Sequence, residues 1–191
     1  MTNGIKVKKR NGRGTEALNL EKMHLMVEEA CKDIAGVSAS QVEIQSGIQF
    51  YDGITTEEIQ EILIKSASDL IDLDHPNYQF VAARLLLFAL RKSLYGKMRE
   101  LPHLENHIYD CVNKEVYDAG LYDKYSKEDI EKANGYIDHD RDFLFTYAGL
   151  RQVVDKYLVQ DRSTNQVYET PQFMYMMIAL TIFAEYPKQT R

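Results

Sequence analysis

Tryptophan is missing from these 191 residues, and cysteine and proline are scarce, at two and four. Two thiols far apart in the chain, Cys31 and Cys111, make neither a CxxC metal pair nor a disulfide framework, and read as reduced cytoplasmic thiols. Four prolines with ten glycines are too few for a turn-rich all-β protein. Long hydrophobic runs are absent as well. The longest apolar stretches, 80–90 and 173–184, fall short of the about 20 residues a membrane span needs, and Arg84 and Thr181 interrupt them. The opening Met1-Thr2-Asn3-Gly4-Ile5-Lys6 lacks the apolar stretch of a secretory signal. Neither GxxxxGKS/T nor GxGxxG occurs, which excludes P-loop and Rossmann nucleotide sites.

What is present is an ordinary globular composition, 45% hydrophobic and 27% charged, long enough for one substantial core or two small ones. We expect two compact units. The charge is uneven: residues 1–15 hold Lys6, Lys8, Lys9, Arg10 and Arg13 and no acid, which leaves 18 of the 23 basic residues against all 29 acidic ones. An acidic body will not track a nucleic-acid backbone, but a basic tip can hold one small polyanion.

The fold class expected is mainly α with a little β. Ile5 and Val7 alternate with lysines, Asn11-Gly12 supplies a tight turn, and 15–18 return, so a β-hairpin opens the chain. Asn19 caps a first helix whose stripe is Met23, Met26, Val27, Ala30, Cys31 and Ile34, ended by Gly36. A second helix starts near Ser38, carries Val42, Ile44, Ile48 and Phe50, and stops at Asp52-Gly53. Thr55 and Glu58 have capping-box spacing before a third. The fourth, 78–95, is apolar nearly all round and belongs at the centre of a bundle, with Arg91-Lys92 in its last turns and Gly96 as its stop. Further helices are expected near 103–116, 126–137 and 144–157, then a polar hairpin over 158–168 and a Met- and aromatic-rich helix over 171–184. So few residues follow that last helix that we expect part of its cover to come from beyond Arg191 or from a partner.

Chemistry-bearing patterns are few. The basic hairpin beside the helix start after Asn19 offers cations and free amides to a phosphate, with Glu16 or Asn19 for sugar or base; a solvated basic end is the plainer alternative. Asp138-His139-Asp140-Arg141-Asp142 begins like a calcium loop but has Phe143 and Gly149 where Gly and Glu are needed. His139-Asp140 with His103 or His107 and Asp155 would suit a His-Asp metal phosphohydrolase, although a capped, salt-bridged turn explains the string better. Cys111, four positions after His107, reads as a small buried residue.

Longer strings say more. Val7-Lys8-Lys9-Arg10-Asn11-Gly12, Asn19-Leu20-Glu21-Lys22, 48–54 (IQFYDGI), 78–84 (YQFVAAR), Leu90-Arg91-Lys92 with Tyr95-Gly96, 137–142, 156–160 (KYLVQ) and Tyr186-Pro187 with Thr190-Arg191 resemble the N-terminal part of the large subunit of class I ribonucleotide reductase. The likeness runs along essentially the whole chain. It implies an ATP-cone over 1–96, a four-helix bundle capped by a small sheet, followed over 97–191 by the incomplete helical start of the catalytic domain. It implies ATP or dATP, with Mg2+, as allosteric effector and no covalent cofactor. By position the resemblance puts Lys9, Arg10 and Lys92 on the triphosphate. Glu16, Asn19, Lys22 and Thr56 then surround base, ribose and phosphates, and Val7, Leu18, Met23 and Ile59 line the pocket. Some family members have histidines where this chain has Gln60 and Ala89. The family's radical-bearing and redox cysteines lie C-terminal to the matched region, and Cys31 and Cys111 do not match them. The implied whole is an N-terminal fragment, unable alone to reduce ribonucleotides, whose partners are the rest of the large subunit, a second large subunit and the small radical-generating subunit. A non-catalytic helical interaction scaffold is the alternative.

Overall fold

The computed structural model describes residues 4–9 and 14–186. The chain divides into two compact units, residues 1–89 with 143–151, and residues 90–142 with 152–191.

In the first unit β1 (Lys6–Lys8) and β2 (Thr15–Ala17) pair antiparallel, so the expected hairpin forms; its Asn11-Gly12 turn lies outside the described residues. A third strand, β3 (Ile54–Thr55), pairs parallel with β1 and gives a three-stranded sheet of order β2-β1-β3. Two residues are too short a strand to announce themselves by alternation. Asp52 and Gly53 set it up: Asp52 accepts from the Lys6 amide at 2.8 Å, and the Gly53 amide donates to the Lys6 carbonyl at 2.8 Å. Gly53 has φ +84°, a conformation costly for any residue with a Cβ.

Helix α1 (Leu20–Cys31) is capped as expected, Asn19 accepting from the Lys22 amide at 2.9 Å. Helix α2 (Ala39–Gly47) is shorter than its apolar residues implied: Ile44 and Ile48 point to solvent, and only Val42 and Ser46 are buried. Helix α3 (Thr56–Asp69) opens with the complete Thr55–Glu58 capping box. Helix α4 (Tyr78–Tyr95) carries the buried Val81, Ala82, Leu85 and Phe88 of the bundle centre. Arg84, which breaks the apolar run, closes α1 by donating to the carbonyls of Ala30 and Lys32, and lies over the Phe143 ring.

The second unit packs α5 (Leu104–Asn113), a one-turn α6 (Leu121–Lys124), α7 (Lys127–Gly135) and α9 (Pro171–Ile182) around Leu104, Ile108, Ile130 and Phe173. The helix expected near 144–157 forms over 147–157, its second half wound as a π-helix. A 3-10 turn covers His139–Leu144, α8 covers Tyr147–Gln152, and a π-turn covers Val153–Tyr157. Thr146 takes the Gly149 amide at 3.2 Å and caps the start of that helix, three residues after its expected beginning. Strands β4 (Gln160–Asp161) and β5 (Gln166–Val167) form the second hairpin, turning through Asn165 at φ +57°. Helix α9 leaves Tyr175, Ile178 and Ile182 exposed. Among the described residues no helix is long and apolar enough to cross a membrane.

Candidate functional site

Strand geometry organises the basic hairpin. Successive side chains alternate, so Val7 and Lys9 share a face, and Glu16, directly opposite Val7, lies on it too. Val7 is buried, so that face turns inward to the bundle. At its edge the Lys9 ammonium sits 2.7 Å from a Glu16 carboxylate oxygen, both side chains a little over two-fifths exposed. The Lys9 amide donates to the Gly14 carbonyl at 3.0 Å, which continues the ladder past the strand. The Glu16 carboxyl is held below the usual range, mainly by its hydrogen bond from Lys9, with the Lys9 and Lys22 charges adding to it against desolvation. Lys22, in the first turn of α1, thus shares the field of this pair.

The opposite edge of β1 leads to α3. Lys8 is in register with Thr55, so Thr56, first residue of α3, follows the strand position beside Lys8. Here the helix start is already occupied. Glu58 takes the Thr55 amide and hydroxyl, each at 2.8 Å, and the Tyr51 hydroxyl at 2.7 Å, and its carboxyl is lowered mainly by Tyr51. The Thr56 hydroxyl donates to Glu57 at 3.0 Å. Met23 on α1 and Ile59 on α3 are buried, while Leu18 is half-buried, its amide tied to the Ile5 carbonyl.

In the first unit Val7 and Lys9 lie on and just past the central strand β1, Glu16 lies on the neighbouring β2, Leu18 and Asn19 lead from β2 into α1, which carries Lys22 and Met23, and Thr56 and Ile59 lie on the helix that follows β3. Arg10 lies outside the described residues. Lys92 stands in the last turn of α4, among the residues of the second unit. Gln60 is buried on α3, and Ala89 is half-buried on α4.

The histidines of the second unit serve other ends. His103 caps α5 and pairs with Glu131 at 3.0 Å. His107 is buried and stacked on Phe173 with ring centroids 4.1 Å apart, its Nε2 3.1 Å from the Tyr117 hydroxyl. Tyr117 donates to Glu169, which also accepts the Val159 amide at 2.8 Å. Burial pushes His107 down to about 4 and raises Glu169. Asp138 caps the turn that carries His139 and Asp140, and Arg141 pairs with it at 3.7 Å. Among the described residues no three His, Cys, Asp or Glu side chains are grouped to hold a metal ion. Burial raises both thiols, Cys31 and Cys111, to about 11, which leaves them poor nucleophiles at neutral pH.

Two features escaped the sequence. Tyr117 and Glu169 line a cavity of about 420 Å3 with Leu121, Tyr157, Met177 and Leu180. Arg91, expected simply among the basic residues of the last turns of α4, is instead almost fully buried. Its Nη2 donates to the His139 carbonyl at 2.6 Å and to Asp142 at 3.1 Å. No local pattern marks such a pair, whose members are 51 positions apart.

Comparison with known proteins agrees with the strings quoted from the sequence. Residues 5–93 match the ATP cone domain, and residues 143–190 match the ribonucleotide reductase all-alpha domain. Over all 191 residues the chain is 46% identical to ribonucleoside-diphosphate reductase 1 subunit alpha of Escherichia coli, covering 25% of that protein. It is 45% identical, with the same coverage, to the subunit alpha of Haemophilus influenzae. Against the subunit alpha of Enterobacteria phage T4 it is 45% identical over 154 residues, 80% of this chain and 20% of the phage protein. The chain thus spans about a quarter of the length of the curated relatives it matches.

Proposed function

We propose that this chain, which belongs by its ATP cone and all-alpha domain to the ribonucleotide reductase large subunits, is their nucleotide-sensing portion, holding ATP or dATP at the β1–β2 hairpin. The observation that carries the reading is the Lys9–Glu16 pair on the inward face of the hairpin. A half-exposed lysine held at 2.7 Å by a carboxylate is a cation already in place. When a triphosphate arrives the ammonium turns to it, and the freed carboxylate accepts from a ribose hydroxyl or a base amine.

Arg10 joins Lys9 on the phosphates, and Lys92 joins them on the resemblance, as the cation of the last turn of α4. Lys22 and Thr56 complete the polar shell, and Mg2+, if bound with the nucleotide, would supply further charge neutralisation to the phosphates. Asn19 uses its side-chain oxygen on the Lys22 amide, which leaves its NH2 to donate to the ligand. Val7, Leu18, Met23 and Ile59 supply the apolar wall for the base. Regulation follows if the assembled subunits bind the effector more tightly in one state than in another, because a ligand shifts an equilibrium only by that difference. The whole assembly would include the rest of the large subunit, a second copy and the small radical-generating subunit. On the resemblance, the radical-bearing and redox cysteines lie C-terminal to the matched region, so a titration of the chain alone with ribonucleoside diphosphate and reductant is expected to give no deoxyribonucleotide.

Calorimetric titration of the 191-residue chain with ATP, dATP and GTP tests this. Saturable heat with the adenine nucleotides, lost in Lys9→Ala, is the expected result. A folded sample giving no heat with either would instead make the chain an interaction scaffold.

A further inference from the structure

The Arg91–Asp142 pair is not among the residues that the resemblance puts on the nucleotide, yet Arg91 adjoins Lys92 in the chain. Both members are about 1% exposed. Taking two charges out of water costs several kcal/mol per ion, and apolar residues of the same volume generally fill such a site at least as stably. The pair is therefore poor evidence for stability. What charge-assisted bonds supply is direction. One guanidinium nitrogen serves both the His139 carbonyl and Asp142, so a rotation of the helix end by one residue would strand a buried charge. The second oxygen of Asp142 accepts from Gln172 Nε2 at 3.2 Å, in the first turn of α9. On the other side of Lys92, the Gly96 amide donates to the Lys92 carbonyl at 3.0 Å with Gly96 at φ +73°, which closes the helix there. The last turn of α4 is thus held from both sides of Lys92.

We infer that Arg91 is a positioning residue: its buried bridge to Asp142 and Gln172 sets the last turn of α4, and so Lys92, for the effector, and carries effector occupancy to the start of α9. This rests on the reading of Lys92 as a phosphate ligand. A displaced Lys92 turns Arg91 with it, Arg91 moves Asp142, and Asp142 moves the Gln172 amide. All three bonds belong to one hydrogen-bonded chain, and such chains respond as units.

The test uses the 191-residue chain and the double variant Arg91→Met with Asp142→Leu, which removes both charges together. Two quantities are read, ATP affinity by calorimetry and the side-chain amide resonance of Gln172 with and without ATP. In the unaltered chain ATP is expected to shift that resonance. The double variant is expected to keep its helical signal and to bind ATP about 10-fold more weakly, a coupling of ordinary size. Should it fail to fold, Asp142→Asn is read the same way, and there the affinity loss is expected to be about threefold, because its single acceptor oxygen can keep the bond from Arg91 without full charge assistance, while its NH2 faces Gln172 donor to donor and that bond is lost. A folded variant binding ATP within twofold of the unaltered chain, or a Gln172 resonance that ignores ATP in the unaltered chain, overturns the inference alone. No ATP heat from the unaltered chain removes the functional reading, and this inference with it.

Discussion

Lys9 and Glu16 form a pair whose worth lies in what it does to charge, since exposed ion pairs add little to stability. Because the hydrogen bond from Lys9 is the largest cause of the lowered Glu16 carboxyl, Lys9→Ala should return that carboxyl toward its ordinary value, with the Lys22 charge holding back only part of the rise. A carbon-detected NMR titration of Glu16 checks it, and an unchanged midpoint would mean that another group sets the carboxyl. His107 makes the opposite kind of statement. Burial is the main cause of its depressed value of about 4, with the charges of Lys114 and His139 adding to it. The unfolded chain then takes up the proton first, at about pH 6.5. The fold therefore keeps its full stability above that pH and loses it as pH falls toward about 4. By pH 5 the loss should reach about 1–2 kcal/mol. Glu169 and Asp142, both raised chiefly by burial, act with opposite sign, gaining stability as they protonate in the fold. His107→Phe keeps a ring against Phe173, so denaturation series of the two proteins should differ in slope between pH 6.5 and 5. Parallel slopes would contradict the assignment.

Among the elements, α3 ties the candidate site to the bundle. Its capping box fills the amide of Glu58 and the amide of Thr55, and Thr55 is also the register partner of Lys8. Thr55→Ala should cost about 1 kcal/mol of stability in a denaturant titration. A loss near zero would mean that the sheet, and not the cap, fixes the start of this helix. The cap was legible in the sequence because it is local: Thr55 and Glu58 are three apart, as are Asn19 and the Lys22 amide it accepts. The hairpin was legible for the same reason. Strand β3 was not, since its partner in β1 lies 47 positions away and two residues show no period. The start of the last helix before the second hairpin at Tyr147, and not at 144, turns on Thr146 capping it, a choice that propensity alone does not foresee. Of the site residues, Lys9 and Glu16 meet through hairpin register, which the Asn-Gly turn signal anticipates. The burial of Arg91 depends on Asp142, and no spacing rule reaches that far.

Across the molecule, a basic N-terminal sequence ahead of an acidic remainder accords with the proposed binding of one small anion. A ligand that binds only the folded form at a hundredfold excess over its Kd adds about 2.7 kcal/mol. For a chain of this length, that should raise the calorimetric Tm by about 5–10 °C with ATP. No rise in saturating ATP would contradict tight binding to the native state. The most direct measurement is a map of backbone amide shifts on adding ATP. The changes should concentrate at Val7, Lys9, Glu16 and Lys22, reach Thr56 and Ile59, and be absent from the exposed face of α2 around Ile44. Changes centred elsewhere, or none at the hairpin in a folded sample, would contradict the placement of the nucleotide.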